Sequence, residues 1–208
     1  MAWTTPRTWT VGEIVTASLL NTHVRDNLTA AYQTITNVNT AVTVVNTVTE
    51  TNLLNYTLAA GQIGTDKTIR GFLKGDYLNN SGSARACPVF KLKIGGTTVI
   101  ANASAGSIGA SATRAGWELE FEITALASAS SQFSKLSSSG ADVISGTAFT
   151  TGEGSNYRGP WWLLGTSAGA TAIDMSGAVA IVVSVTLPVA HASLEVKMFS
   201  AQLEVGGG

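Results

Sequence analysis

The chain is poor in charge and in the residues that cross-link a fold or hold a metal. A single cysteine, Cys87, excludes an intramolecular disulfide and leaves no second thiolate for a metal site. The only histidines, His23 and His191, lie far apart, so no His-based metal cluster or local Cys/His motif can be assembled. Charged residues make up 12% of the chain, with 12 Lys+Arg against 13 Asp+Glu and a formal net charge of −1. That balance supplies no basic field to neutralise phosphates or draw the chain to anionic lipid, so nucleic acid is not an expected partner.

Long apolar runs are missing too. The longest, Ala178 to Val183, is far too short to span a bilayer, and residues 1–10 lack the apolar core of a secretory signal. No membrane insertion is expected, and the chain is expected to be made and folded in a cytoplasm. Neither G-x-x-x-x-G-K-[ST] nor G-x-G-x-x-G occurs, and helical patterns do not separate the apolar segments, so no nucleotide or other cofactor is expected.

What is present is 45% hydrophobic residues, 22 glycines and abundant Ser, Thr, Ala and Asn, a composition that favours strands and turns. The 208 residues suit one domain with an appendage. Residues 1–15 read as an extended arm, because Pro6 and Gly12 break helices and Trp3 and Trp9 have no periodic neighbours. Those aromatics need a surface, either another subunit or the chain's own body.

Thr16 is a good N-cap, and Leu20, Val24, Leu28 and Tyr32 follow at i,i+4 intervals, which predicts a helix over residues 17–33. From Val24 the apolar positions Leu28, Ala31, Ile35, Val38, Val42 and Val45 continue with alternating spacings of four and three, as in a coiled-coil seam. The intervening Thr and Asn residues are poor helix formers, so the alternative is a helix that ends near Tyr32 and an extended linker beyond it.

Beyond residue 48 the period becomes two and turn signals recur, giving about eight strands and a mainly β fold: an antiparallel, jelly-roll-like β-sandwich. The expected strands are Thr51–Leu58, Thr68–Leu78, Cys87–Ile94, Thr97–Ala101, Ala115–Leu126, Gln132–Leu136, Ala178–Leu187 and Ser193–Leu203, with Gly95-Gly96 as a hairpin turn. The organisation is thus residues 1–48 as arm and helix, and 49–208 as sandwich. Phe90, Leu92 and Ile94 alternate with Lys91 and Lys93. Trp117, Leu119, Phe121 and Ile123 alternate with Glu118, Glu120 and Glu122, so each strand has one dry and one wet face. The strand at 178–187 is small or apolar on both faces, which places it centrally or at a subunit interface.

The glutamates could form a glycosidase pair or a hard-metal site, but a regular ladder opposite an apolar stripe is most simply a solvated face, here expected to pair with Lys91 and Lys93. No G-x-S-x-G elbow accompanies the many serines, so no catalytic residue is assigned and the chain is not expected to be an enzyme. In Ser155–Trp162, the residues Tyr157, Arg158, Trp161 and Trp162 sit in a Gly/Pro loop suited to stacking on sugar rings or anchoring a protein. Core packing or subunit contact is the competing role.

The opening Trp3-Thr4-Thr5-Pro6-Arg7-Thr8-Trp9 and the phrase Val15-Thr16-Ala17-Ser18-Leu19-Leu20-Asn21-Thr22-His23-Val24-Arg25-Asp26-Asn27-Leu28 resemble the start of many bacteriophage and prophage virion proteins. Downstream, Gly75–Gly82 and Lys91–Thr98 are loosely similar to sandwich domains of phage fibre-like proteins. The resemblance implies a virion location, with Trp3, Trp9, Leu20, His23, Val24, Arg25 and Leu28 docking on other virion proteins of tail or capsid. It carries over no catalytic residue. The expected assembly is a homotrimer, because a self-matching helix stripe and a low-charge surface leave apolar area that a monomer would expose. The leading role is a tail-fibre or tail-associated protein that touches a host surface glycan or protein. The alternatives are a capsid decoration protein and a virion-bound carbohydrate-active enzyme using some of Glu118, Glu120, Glu122 and Asp142.

Overall fold

Strands form here because β-branched and aromatic residues alternate with polar ones between glycine-rich turns, and each alternation leaves one face to bury. The computed structural model describes residues 11–21, 32–101, 107–140, 162–166 and 171–206. In chain order they form helix α1 (Ala17–Leu20) and strands β1 (Tyr32–Val38), β2 (Val42–Val45), β3 (Thr51–Leu58), β4 (Thr68–Asn79), β5 (Arg85–Ala86), β6 (Val89–Ile94), β7 (Thr97–Ala101), β8 (Ser107–Ile108), β9 (Ser111–Ala125), β10 (Gln132–Gly140), β11 (Trp162–Thr166), β12 (Val179–Thr186) and β13 (Leu194–Gly206).

The fold is an antiparallel β-sandwich. Sheet A runs β1-β13-β4-β9-β10-β11, with β2 also on β13; sheet B runs β3-β12-β6-β7; β5 and β8 form a small third sheet. Leu73, Leu119, Phe121, Ile123, Val196 and Leu203 of sheet A share one core with Leu54, Leu92, Ile94, Ile181, Val183 and Val185 of sheet B. All the strands expected beyond residue 48 are present, with ends shifted by a few residues. Gly95 and Gly96 close the β6–β7 hairpin with φ of 57° and 85°, the left-handed pair that a two-residue primed turn requires. β12, apolar on both faces, is central in sheet B, as its composition predicts.

Two other glycines make room for aromatics. Gly71 lies opposite Phe121 and Gly75 opposite Trp117, and a Cβ at either would collide with the ring across the strand pair. The rings cover backbone that has no side chain of its own. Trp117 then donates from Nε1 to the Asp76 carbonyl at 3.0 Å and meets Phe90 of sheet B, centroid to centroid at 5.4 Å.

Residues 32–45 differ from the sequence expectation. Of the helix expected over 17–33, α1 is described and residues 22–31 lie outside the described residues; the far end, from Tyr32, is strand. The heptad seam through Ile35, Val38, Val42 and Val45 is not helical. β1 pairs with the second half of β13 and β2 with the first half, so the sheet starts at residue 32 rather than 49. The spacing of four and three arises from a register shift between Thr34 and Thr36, which inserts Ile35, and from the break between the two strands. Val44 is the buried residue of β2 and Val45 points out. The β-branched Thr, Val and Ile favour strand while Asn disfavours helix, and pairing along β13 completes the choice.

Candidate functional site

The described part of the N-terminal segment is apolar and unburied. Thr16 caps α1, its hydroxyl accepting from the Leu19 N–H at 3.3 Å, as the sequence predicts. Around it Val11, Ile14, Val15 and Leu20 are 109, 82, 49 and 46% exposed. Of the expected docking residues, Leu20 is therefore outward-facing. Trp3, Trp9, His23, Val24, Arg25 and Leu28 lie outside the described residues, as do Asp142, Tyr157, Arg158 and Trp161. Trp162 begins β11 at the edge of sheet A, paired with Ser138.

The outer face of sheet A carries the glutamate ladder. Leu119, Phe121 and Ile123 are buried, while Glu118, Glu120 and Glu122 point outward. Their partners are not Lys91 and Lys93, which belong to sheet B, but the residues that antiparallel register sets beside them on β4. Arg70 Nε lies 2.9 Å from Glu122 Oε1, and Lys74 Nζ 3.1 Å from Glu118 Oε1. Glu120 faces Phe72 on one side and Ser137 on the other and has no ion pair among the described residues. Nearer the end of the sheet, Arg114 joins Asp76 at 2.6 Å and Glu195 at 2.9 Å, so three strands are tied by one guanidinium.

The outer face of sheet B is built differently. Lys91 and Lys93 on β6 converge on Glu50, just before β3; Lys91 Nζ is 2.7 Å from Oε2 and Lys93 bonds Oε1. Ser184 of β12 donates to the same carboxylate at 2.7 Å. Hydrogen bonds from Lys91 and Lys93 hold the Glu50 carboxyl at about 2, well below its ordinary value, against an opposing effect of burial. The sequence offered one signal for this cluster: Glu50 is the sole charged residue between positions 32 and 58. Its partners could not be read off the chain, because strand order brings β6, β12 and the β3 entrance together.

The remaining polar groups are structural. Asn79, 2% exposed, donates from Nδ2 to the carbonyls of Ser83, Ile108 and Gly109 and accepts from Ser81, pinning the loop after β4. Gln132, fully buried, bridges the carbonyls of Ala129 and Ile173. Burial raises the Tyr77 phenol and the Cys87 thiol above their ordinary values, and the Tyr77 hydroxyl has no hydrogen-bond partner among the described residues. His191 Nδ1 accepts from the Ser193 N–H in the turn before β13. Among the described residues no group of three His, Cys, Asp or Glu could hold a metal ion, and no helix is long and apolar enough to cross a membrane.

The fold and these surfaces define an antiparallel β-sandwich, preceded by residues 11–21, none of which is buried. No family model and no curated protein matches the chain. Among solved structures it is similar to the CBM2 module of the evolved Dit of Lactobacillus casei BL23 phage J-1, with 10% identity, a TM-score of 0.34, and coverage of 74% of this chain and 69% of that one. That score falls short of a shared topology, so the likeness transfers neither strand order nor ligand.

Proposed function

We propose that the chain is a bacteriophage virion structural protein of the tail-fibre or tail-associated kind, attaching through its N-terminal segment and projecting the sandwich toward the host surface. The observation that carries this reading is the exposure of Val11, Ile14, Val15 and Leu20 in the segment that resembles the start of phage virion proteins. Four apolar side chains of one short segment left 46–109% exposed favour a surface on another protein. The role is binding rather than turnover: Glu118 and Glu122 are neutralised by Lys74 and Arg70 across the strand, which favours a solvated face over a raised-pKa acid.

Deleting residues 1–15 tests the attachment. The truncated sandwich should keep its melting transition and disappear from purified particles. Stoichiometric co-purification of the truncated chain would move attachment to another part. Gold labelling of intact particles separates tail from shell, and label on the shell would replace the tail reading with capsid decoration. Release of reducing sugar from host cell-wall glycan, abolished by Glu120→Gln, would make the protein an enzyme.

A further inference from the structure

The strands that complete sheet A are held unequally. β13 pairs with β4 from Leu194 to Gly206, with one irregularity between Met198 and Ser200, and β4 pairs in turn with β9. β1 and β2 are bonded to β13 alone, the first with a register shift between Thr34 and Thr36 and the second over Val42–Val45. Among the side chains described on these two strands Val44 is buried, while Ile35, Val38 and Val42 only half enter the core. Residues 32–45 carry no charge with which to form an ion pair, and the bond from Gln202 Nε2 to Thr34 Oγ1 is long, at 3.3 Å, and exposed.

The chain beyond them is fastened differently. Glu50 holds Lys91, Lys93 and Ser184 of sheet B, and β3 then buries Leu53, Leu54 and Leu58. Between the two lie residues 46–49, where Asn46 has a φ of 52°, Val48 and Thr49 are exposed, and the Thr49 N–H is satisfied locally by Thr47 Oγ1 at 3.0 Å. We infer that residues 32–45 form a strap that undocks from β13 as one unit while the sandwich stays folded, swinging about residues 46–49 and stopping at Glu50.

The free energy of a local opening follows the buried apolar contact and the bonds that must break together, so edge strands with one buried side chain open before the strands that fill the core. β1 and β2 lie end to end on one partner and share Val44 as their only full anchor in the core, which makes them one unit. Undocking leaves the β4–β13 ladder and the rest of the core in place. The released strap spans up to about 45 Å when extended. On the virion reading, which supplies only its use, the strap is an extensible tether between the N-terminal segment and the sandwich.

Hydrogen exchange on the full, unmodified chain, in urea below the unfolding transition, tests the strap. Amides of β1 and β2 that donate to β13, and those of β13 that donate back, should exchange together, with protection on the order of a hundredfold below that of β4, β9 and β12 and a shallower dependence on urea. Exchange of these amides only with the whole sandwich, or one by one without dependence on urea, overturns the proposal. Thr43 and Lys197 face each other across β2 and β13, so Thr43→Cys with Lys197→Cys, in a chain carrying Cys87→Ser, supplies a reversible staple. Once the cross-link is confirmed by mass, the fast-exchanging group should vanish and return on reduction; unaltered exchange in the cross-linked chain means that the strap does not undock. In Glu50→Gln the group should grow to include Thr51–Leu54, and β3 amides that exchange as before overturn the stop. All three readouts use free protein, whereas the virion reading stands or falls on incorporation into particles, so either can fail alone.

Discussion

Sheets A and B share one core yet organise their outer faces by different electrostatics. On sheet A the glutamate ladder pairs one to one with cations of the neighbouring strand, Glu118 with Lys74 and Glu122 with Arg70, while Arg114 alone bridges two carboxylates; Lys74 and Glu118 are 63 and 52% exposed. Pairs of that kind stabilise by only about 0–1 kcal/mol, because water already solvates each partner. On sheet B one carboxylate serves two lysines and a serine, with exposures of 23–28% for the three charged side chains. The difference is positional: Glu50 stands in the passage from β2 to β3, so its bonds fasten a crossing between the sheets rather than decorate a strand already held by its ladder.

The shared core sets the largest effect. Phe121→Ala removes a fully buried ring that lies over Gly71 and should cost roughly 3–5 kcal/mol in denaturant unfolding. A loss below about 1 kcal/mol would mean that neighbouring side chains fill the space, and the glycine–aromatic pairing would lose its structural role.

Glu50→Gln comes next, at about 1–2 kcal/mol at neutral pH, since it strips a half-buried carboxylate from two lysines while keeping its shape. Its pH dependence follows from the depressed folded pKa. The carboxylate contributes its full stability above about 4.5 and loses it as pH falls toward about 2. The gap between unmodified chain and Glu50→Gln should therefore close across that window in parallel urea titrations. A gap that persists at the acid end would assign the effect to packing.

The smallest effect belongs to sheet A. Glu120→Gln, opposite Phe72 and Ser137, should shift stability by less than about 0.5 kcal/mol, and Glu118→Gln should do little more. A shift as large as that of Glu50→Gln would erase the contrast between the two faces.

Much of this was legible along the chain. Wherever one strand face is dry and the other wet, the period of two is written in the side chains, and β3, β4, β6, β7, β9, β10, β12 and β13 were all anticipated. β1 and β2 were not, because a bulge at Ile35 and a strand break gave their apolar residues helix-like spacing. β5 and β8 are two residues each, too short to show any period. The solvated character of Glu118, Glu120 and Glu122 was readable from alternation, whereas their partners were not, since Arg70 and Lys74 become neighbours only through strand order.

By itself the sequence determined the local terms: the alternation, the Gly95-Gly96 turn, the Thr16 cap, and the near absence of charge between residues 32 and 58. Those depend on dihedral preference and side-chain chemistry within a few residues. Only the tertiary structure decided that residues 32–45 complete the free edge of β13 and that Glu50 meets Lys91, Lys93 and Ser184. These are pairings across long separations, chosen by which strands share a sheet, and no local period encodes that choice.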